Sequence, residues 1–172
     1  MGKPEEVLKD KSMKAKQKVE RLSALLLEGE LSMVQLIAVF EEANEKDQAV
    51  CMEALERLSQ TRPEDIPNTA FELAVSSLTK KHPGLKRESA RVIANSAHLH
   101  TDKLDKAIVN LLNNTEHQGT VVRWSAALAL STIVQLDFKG KAELVEAIRV
   151  LERNEEKNGI RKIYQKGLKN QG

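Results

Sequence analysis

The stretch Gly119-Thr120-Val121-Val122-Arg123-Trp124-Ser125-Ala126-Ala127-Leu128-Ala129-Leu130 decides how this chain folds. Val122, Ala126, Ala129, Leu130 and then Ile133 recur at the i, i+4, i+7, i+8 spacing that lines one face of an α-helix. The helix is apolar nearly all round, which predicts a deeply embedded position. Its small residues let neighbouring helices approach on several sides, as stacking demands.

Outward from this stretch the same signature returns. Gly84-Leu85-Lys86 and Gly159-Ile160-Arg161 again set a glycine, a branched apolar residue and a cation at the start of a helix. With Val50, Leu85, Val122 and Ile160 as equivalent starts, the spacings are 35, 37 and 38 residues. Small residues follow four positions on (Ala54, Ser89, Ala126), and large apolar ones eight on (Leu58, Ile93, Leu130, Leu168). Between the starts, Phe71-Ala74-Leu78, Leu104-Ile108-Leu111 and Leu144-Ile148-Leu151 mark further helices, and nothing alternates with period two. Gly29, Pro63, Pro67, Pro83, Gly84, Gly119, Gly140 and Gly159 punctuate the pattern. It predicts nine helices, over 5–28, 31–43, 47–60, 67–81, 84–98, 103–114, 120–136, 140–155 and 159–170. Asp65 (or Asn68) and Asp102 stand where N-caps are wanted.

Composition narrows the classes. The chain has 172 residues, 41% apolar and 30% charged, with eight glycines and four prolines. That is too little Gly and Pro for a loop-rich β fold and too much apolar content for disorder. One cysteine excludes an internal disulfide framework and a multi-cysteine zinc site. Five aromatics leave little for a base-stacking platform. No apolar run is long enough to span a membrane, and the first residues are too charged for a signal peptide, so a cytoplasmic location is expected. Charge is unevenly placed: residues 31–65 carry three cations against eight carboxylates, whereas 137–172 carry nine against six.

The period, and above all Val122-Arg123-x-x-Ala126-Ala127-x-Ala129-Leu130, resembles HEAT repeats, with the armadillo repeat as near relative. The resemblance implies an all-α fold: a right-handed α-solenoid of about four antiparallel helix pairs plus an N-terminal capping helix. The chain then divides as a single domain, with the cap at 1–30 and repeats at 31–65, 66–101, 102–138 and 139–172. Second helices would line a concave face. Such repeats often pair a turn aspartate with the arginine in a ladder, and here the turns hold Glu116 and Glu156 instead. In the cap, Leu8, Ser12, Ala15, Val19, Leu22 and Leu26 form one seam. The last helix is polar and contains Gly167, so it is expected to fray.

No catalytic signature is present: no nucleophile elbow, no His-Glu-x-x-His, no dinucleotide or phosphate loop. The expectation is a non-enzyme without catalytic residues, cofactor or metal. His98 and His100, with His82 or His117, are the conceivable metal ligands; solvated loop histidines are the favoured reading. Cys51 reads as a buried, inert thiol.

The repeat register supplies a better candidate. Two residues after each start come Met52, Arg87, Trp124 and Lys162, about 200° from the packed stripe; four further on come Glu56, Arg91, Leu128 and Lys166. These rows would line the concave face, and Arg87, Arg91, Trp124, Leu128, Lys162 and Lys166 are the candidate partner-binding residues. Trp and Arg are the types most enriched at interface hot spots, and the opposing reading packs Trp124 and Leu128 between repeats. Lys86, Arg123 and Arg161 form a different row, expected to be structural and to reach acidic residues of adjacent repeats. The leading functional expectation is a protein-interaction scaffold binding a segment of another protein, with acidic and apolar positions. The alternative is a nucleic-acid-binding module with a basic groove. Membrane association is not expected, and a monomer is.

Overall fold

In the computed structural model, which describes residues 3–171, the helical reading holds along most of the chain. Ten α-helices are found among the described residues: α1 Pro4–Lys9, α2 Ala15–Leu27, α3 Met33–Glu42, α4 Glu45–Thr61, α5 Asn68–Ser77, α6 Pro83–Ser96, α7 Leu104–Asn114, α8 Thr120–Ile133, α9 Lys141–Asn154 and α10 Asn158–Leu168. Short 3-10 turns at Pro63–Asp65, Ala97–Leu99 and Thr101–Lys103 fill two of the connections.

The first predicted helix, over 5–28, is two helices. Asp10 ends α1 by accepting from the backbone N–H and hydroxyl of Ser12, 2.8 and 2.6 Å away. Gln17 Oε1 accepts from the Lys14 N–H and opens α2. Lys18 donates to the free Leu8 carbonyl at 2.6 Å, which fastens α2 beneath the end of α1. The seam is therefore real at its ends: Leu8, Val19, Leu22 and Leu26 are buried, whereas Ser12 and Ala15, at the break, are exposed. A short polar side chain that bonds the backbone two residues on competes with the helix at that point.

The helices pair and the pairs stack. Each odd-numbered helix packs on the even-numbered helix after it, and α2, α4, α6, α8 and α10 pack on one another in order. The odd-numbered helices touch each other much less. The stack therefore curves toward the even-numbered layer, which is its inner side. The equivalent starts Val50, Leu85, Val122 and Ile160 are all buried, as are Ala54, Ser89 and Ala126 four positions on. Small residues there let one even-numbered helix lie close on the next.

Three local expectations need correction. Asp65 does not cap α5: it pairs with Arg62 inside the 3-10 turn, and α5 begins after Pro67 without a side-chain cap. Asp102 likewise leaves α7 uncapped. The side-chain caps lie elsewhere, with Ser32 accepting from the Gln35 N–H at 3.1 Å, Asn44 from Asp47 at 2.9 Å and His82 Nδ1 from Leu85 at 3.2 Å. Finally, α10 is docked rather than frayed. Ile160, Tyr164 and Gly167 are buried, and a Cβ on Gly167 would sit 2.6 Å from Ser131 Cβ and 3.0 Å from its Cα. The glycine is what lets α10 reach α8, and the contact offsets its poor helix propensity.

The ladder between repeats exists with different rungs. Arg123 donates to Glu155 at 3.2 Å and to the carbonyls of His117 and Gln118, while Glu116 and Glu156 stay exposed. Lys86 finds the Leu78 carbonyl and Asn114 Oδ1, both at 2.9 Å, rather than a carboxylate. Arg161 donates to the Glu155 carbonyl of its own turn. In each of the first two rungs a cation near the start of one even-numbered helix reaches the turn of the next repeat.

His100 is buried, not a solvated loop residue. It stacks on Phe71 with ring centroids 4.5 Å apart, and its ring nitrogens face Asn68 Oδ1 at 2.8 Å and the Ile66 carbonyl at 2.9 Å. It thus ties the turn after α6 to the turn before α5. Desolvation holds its pKa below the usual imidazole value, against the opposing pull of the Ile66 bond and Asp102. A folded-state pKa below the unfolded one contributes stability that is present above about pH 6.5 and lost as pH falls through the folded value. The stability difference between wild type and His100→Gln, followed by urea melts, is therefore expected to shrink from pH 8 to pH 5. A difference that stays constant over that range would mean His100 does not titrate on unfolding.

Candidate functional site

The inner layer carries the two rows predicted from the register, and burial sorts them. Met52 and Glu56, at the acidic end, are buried; Arg87 and Arg91 on α6 are half-exposed; Trp124 and Leu128 on α8 are half-buried; Lys162 and Lys166 on α10 are exposed. Trp124 packs against the core. The packing reading accounts for its covered side, and an accessible side is left. The helix is embedded, and its open side carries Val121, 51% exposed, then Trp124 and Leu128 at i, i+3 and i+7. These form a single apolar ridge.

The arginines are not bare cations. Arg87 Nε donates to Glu88 at 2.7 Å, and Arg91 lies 3.8 Å from Glu56. Glu56 also accepts from Gln60 at 2.6 Å and from Asn95 at 3.2 Å, and Asn95 reaches Ser59 at 3.0 Å. Both carboxylates are buried at the α4–α6 seam, with Glu53 close by. Burial pushes the Glu88 carboxyl above the usual carboxylate range, against the pull of Arg87, and Glu53 and Glu56 add to the rise. Glu88 is the participant the sequence reading missed. Its signal was present: it lies three residues after Leu85, where α8 has the buried Ser125.

No ion pair or hydrogen bond engages the side chain of Lys162 or Lys166 among the described residues, so α10 offers free positive charge. The apolar ridge of α8 therefore lies between half-neutralised arginines on α6 and unpaired lysines on α10. Position two of the register joins Arg87, Trp124 and Lys162 across three helices; position six joins Arg91, Leu128 and Lys166.

The other sequence candidates have structural employment. His82 caps α6, and His117 Nδ1 accepts from the Gly119 N–H at 2.8 Å, so both rings bond their own turns. Among the described residues no three His, Cys, Asp or Glu side chains converge as metal ligands. Cys51 is buried, and desolvation pushes its thiol up to about 12, where the thiolate nucleophile is absent at neutral pH. No helix of the described residues is long and apolar enough to cross a membrane.

Solved structures share this architecture. A designed armadillo repeat protein superposes with a TM-score of 0.68 at 18% identity, covering 96% of this chain and 79% of its own. A second, in complex with the peptide (KR)4, gives 0.67 at 17% identity, with 97% and 88% covered. No protein-family model and no curated protein sequence matches this chain. The fold is that of a HEAT/armadillo-like helical repeat, all-helical with no strand among the described residues.

Proposed function

We propose that this armadillo-like helical-repeat protein is a non-enzymatic scaffold that holds a segment of another protein along its inner layer, between α6 and α10. The segment 1–30 and the four repeats act as one unit that presents this surface. The carrying observation is the apolar ridge of Val121, Trp124 and Leu128, bounded by Arg87 and Arg91 on one side and by Lys162 and Lys166 on the other. Desolvated apolar and aromatic side chains supply affinity, and flanking charge selects the partner and its orientation. The matching ligand carries apolar side chains with carboxylates on both flanks. A structural neighbour that is in complex with (KR)4 supports peptide binding by this architecture. In this chain the charge next to the ridge has the sign that disfavours such a basic peptide. The reading invokes no cofactor, metal or catalytic residue.

Trp124 is the sole tryptophan, so intrinsic fluorescence reports on the site directly. Two labelled probes test the reading: a twelve-residue peptide of repeated Glu-Leu-Asp-Phe, and (KR)4. The acidic probe is expected to bind and shift Trp124 emission, and to weaken about tenfold or more with Arg87→Glu or Lys162→Glu. Binding of (KR)4 as tightly as the acidic probe, or binding that leaves the emission unmoved, would sink the proposal. Duplex DNA that binds with a steep inverse salt dependence would replace it with the nucleic-acid reading.

A further inference from the structure

The most apolar helix in the chain lies on the other side of the molecule. From Met33 to Phe40 every residue of α3 except Gln35 is apolar, and Glu41 and Glu42 follow. A helix apolar all round belongs in a core. Here only one side is covered: Leu36, Val39 and Phe40 are buried, whereas Val34 is 79% exposed, Ala38 is exposed and Ile37 is half-buried. Because the odd-numbered helices splay apart on the outer side of the curve, a groove opens on each flank of α3. The one toward α5 and α7 measures about 690 Å³ and has Ile37, Leu73 and Val75 in its lining. The one toward α1 measures about 440 Å³, with Leu8, Ala38 and Val39.

The grooves are rimmed by acid. Glu41, Glu72, Asp102 and Asp105 border the larger, against Lys103 and Lys106. Lys103 is already 3.6 Å from Glu72. Glu5, Glu42 and Asp47 border the smaller, against Lys9. Seven carboxylates face three lysines around one uncovered apolar helix. We propose that the outer face of α3, with its two grooves, docks a basic amphipathic helix of another protein.

The occupant follows from shape and charge. α3 and α5 have ten residues each, about 15 Å of helix. A partner helix of two to three turns fills that length, with apolar residues at i, i+3 or i+4 and i+7 and Lys or Arg on its flanks. A second copy of this chain is a poor occupant. Its basic helix α10 has Ile160, Tyr164 and Gly167 turned into its own fold, and so has no apolar face to offer. This surface is separate from the inner layer, and its binding does not depend on what the inner layer holds.

The test uses the full chain and two labelled fourteen-residue probes, a Leu/Lys amphipathic helix and a Leu/Glu helix with identical leucine spacing. The Leu/Lys probe is expected to bind at least about tenfold more tightly than the Leu/Glu probe in low salt, with the preference narrowing in high salt. Val34→Lys and Glu41→Lys change exposed side chains, so both variants should keep the wild-type melting temperature while weakening the Leu/Lys probe about tenfold. Trp124 emission and the effect of Arg87→Glu are expected to be null. Equal affinity for the two probes, no binding, or indifference to Val34→Lys would overturn the proposal. So would a shift of Trp124 emission, which would put the probe on the inner layer. Concentration-dependent self-association abolished by Val34→Lys would also overturn it, in favour of a second copy.

Discussion

Truncating Tyr164 to alanine is expected to cost about 3–5 kcal/mol, the range for removing a large buried aromatic. Tyr164 is 1% exposed on α10 and occupies the position where α4, α6 and α8 carry Ala54, Ser89 and Ala126. Those three sit between two neighbouring even-numbered helices and must be small. At α10 a large side chain stands at this position and is buried all the same. Burial also raises the Tyr164 hydroxyl pKa, with Glu155 adding to the rise. In a stack where each repeat contacts only its neighbours, the loss should appear first at the C-terminal pair. Urea melts measure the total, and amide exchange in α9 and α10 measures where it falls. Tyr164→Phe keeps the ring and is expected to cost far less. Exchange in α10 unchanged by Tyr164→Ala would show that the helix is held by something else.

Arg123→Met is the second large effect, expected at about 2–3 kcal/mol. The side chains of Arg123 and Glu155 are only 17% and 8% exposed. Removing the guanidinium leaves a carboxylate in a desolvated place without its partner, and frees the carbonyls of His117 and Gln118. The double variant Arg123→Met/Glu155→Met should recover part of the loss, because the stranded charge is then gone. A double variant as unstable as the sum of the singles would mean the pair is not coupled. Both perturbations loosen the hold on α9 and α10, and hence on Lys162 and Lys166. Weaker binding of the acidic probe should accompany lower stability in each.

The sequence was most legible where a residue's neighbours are in its own helix. Period and punctuation located eight of the ten helices one for one and ran α1 and α2 together, because apolar spacing is a local consequence of burying one face. The break at Asp10–Lys14 escaped notice because the seam from Leu8 to Leu26 keeps helical spacing across it. Only the Asp10–Ser12 bonds and the Lys18 contact to Leu8 reveal two helices. The rows through Arg87, Trp124 and Lys162 were readable from register alone. What was not readable is that Glu88 and Glu56 shield the arginines while the lysines stand free. That depends on which helix lies beside which, and at what distance.

His100 and Gly167 show the same division. Each looked like a weak point in the sequence, a loop histidine and a helix-breaking glycine. Phe71, Asn68 and Ile66 make the first a tie between turns, and Ser131 makes the second a close helix contact. Their partners lie 29 to 36 residues away along the chain, one repeat off, beyond any local pattern. The outer face of α3 has the opposite history. Its composition announces a buried helix, and the curvature of the stack leaves half of it bare. By itself the sequence determined that this chain is a stack of helix pairs, because helical period and a repeat of about 35–38 residues are written in residue order. The tertiary structure alone decided which charges are neutralised, which helix contacts are close and which apolar face lies open. Desolvation and contact depend on distances between repeats, and residue order does not contain those distances.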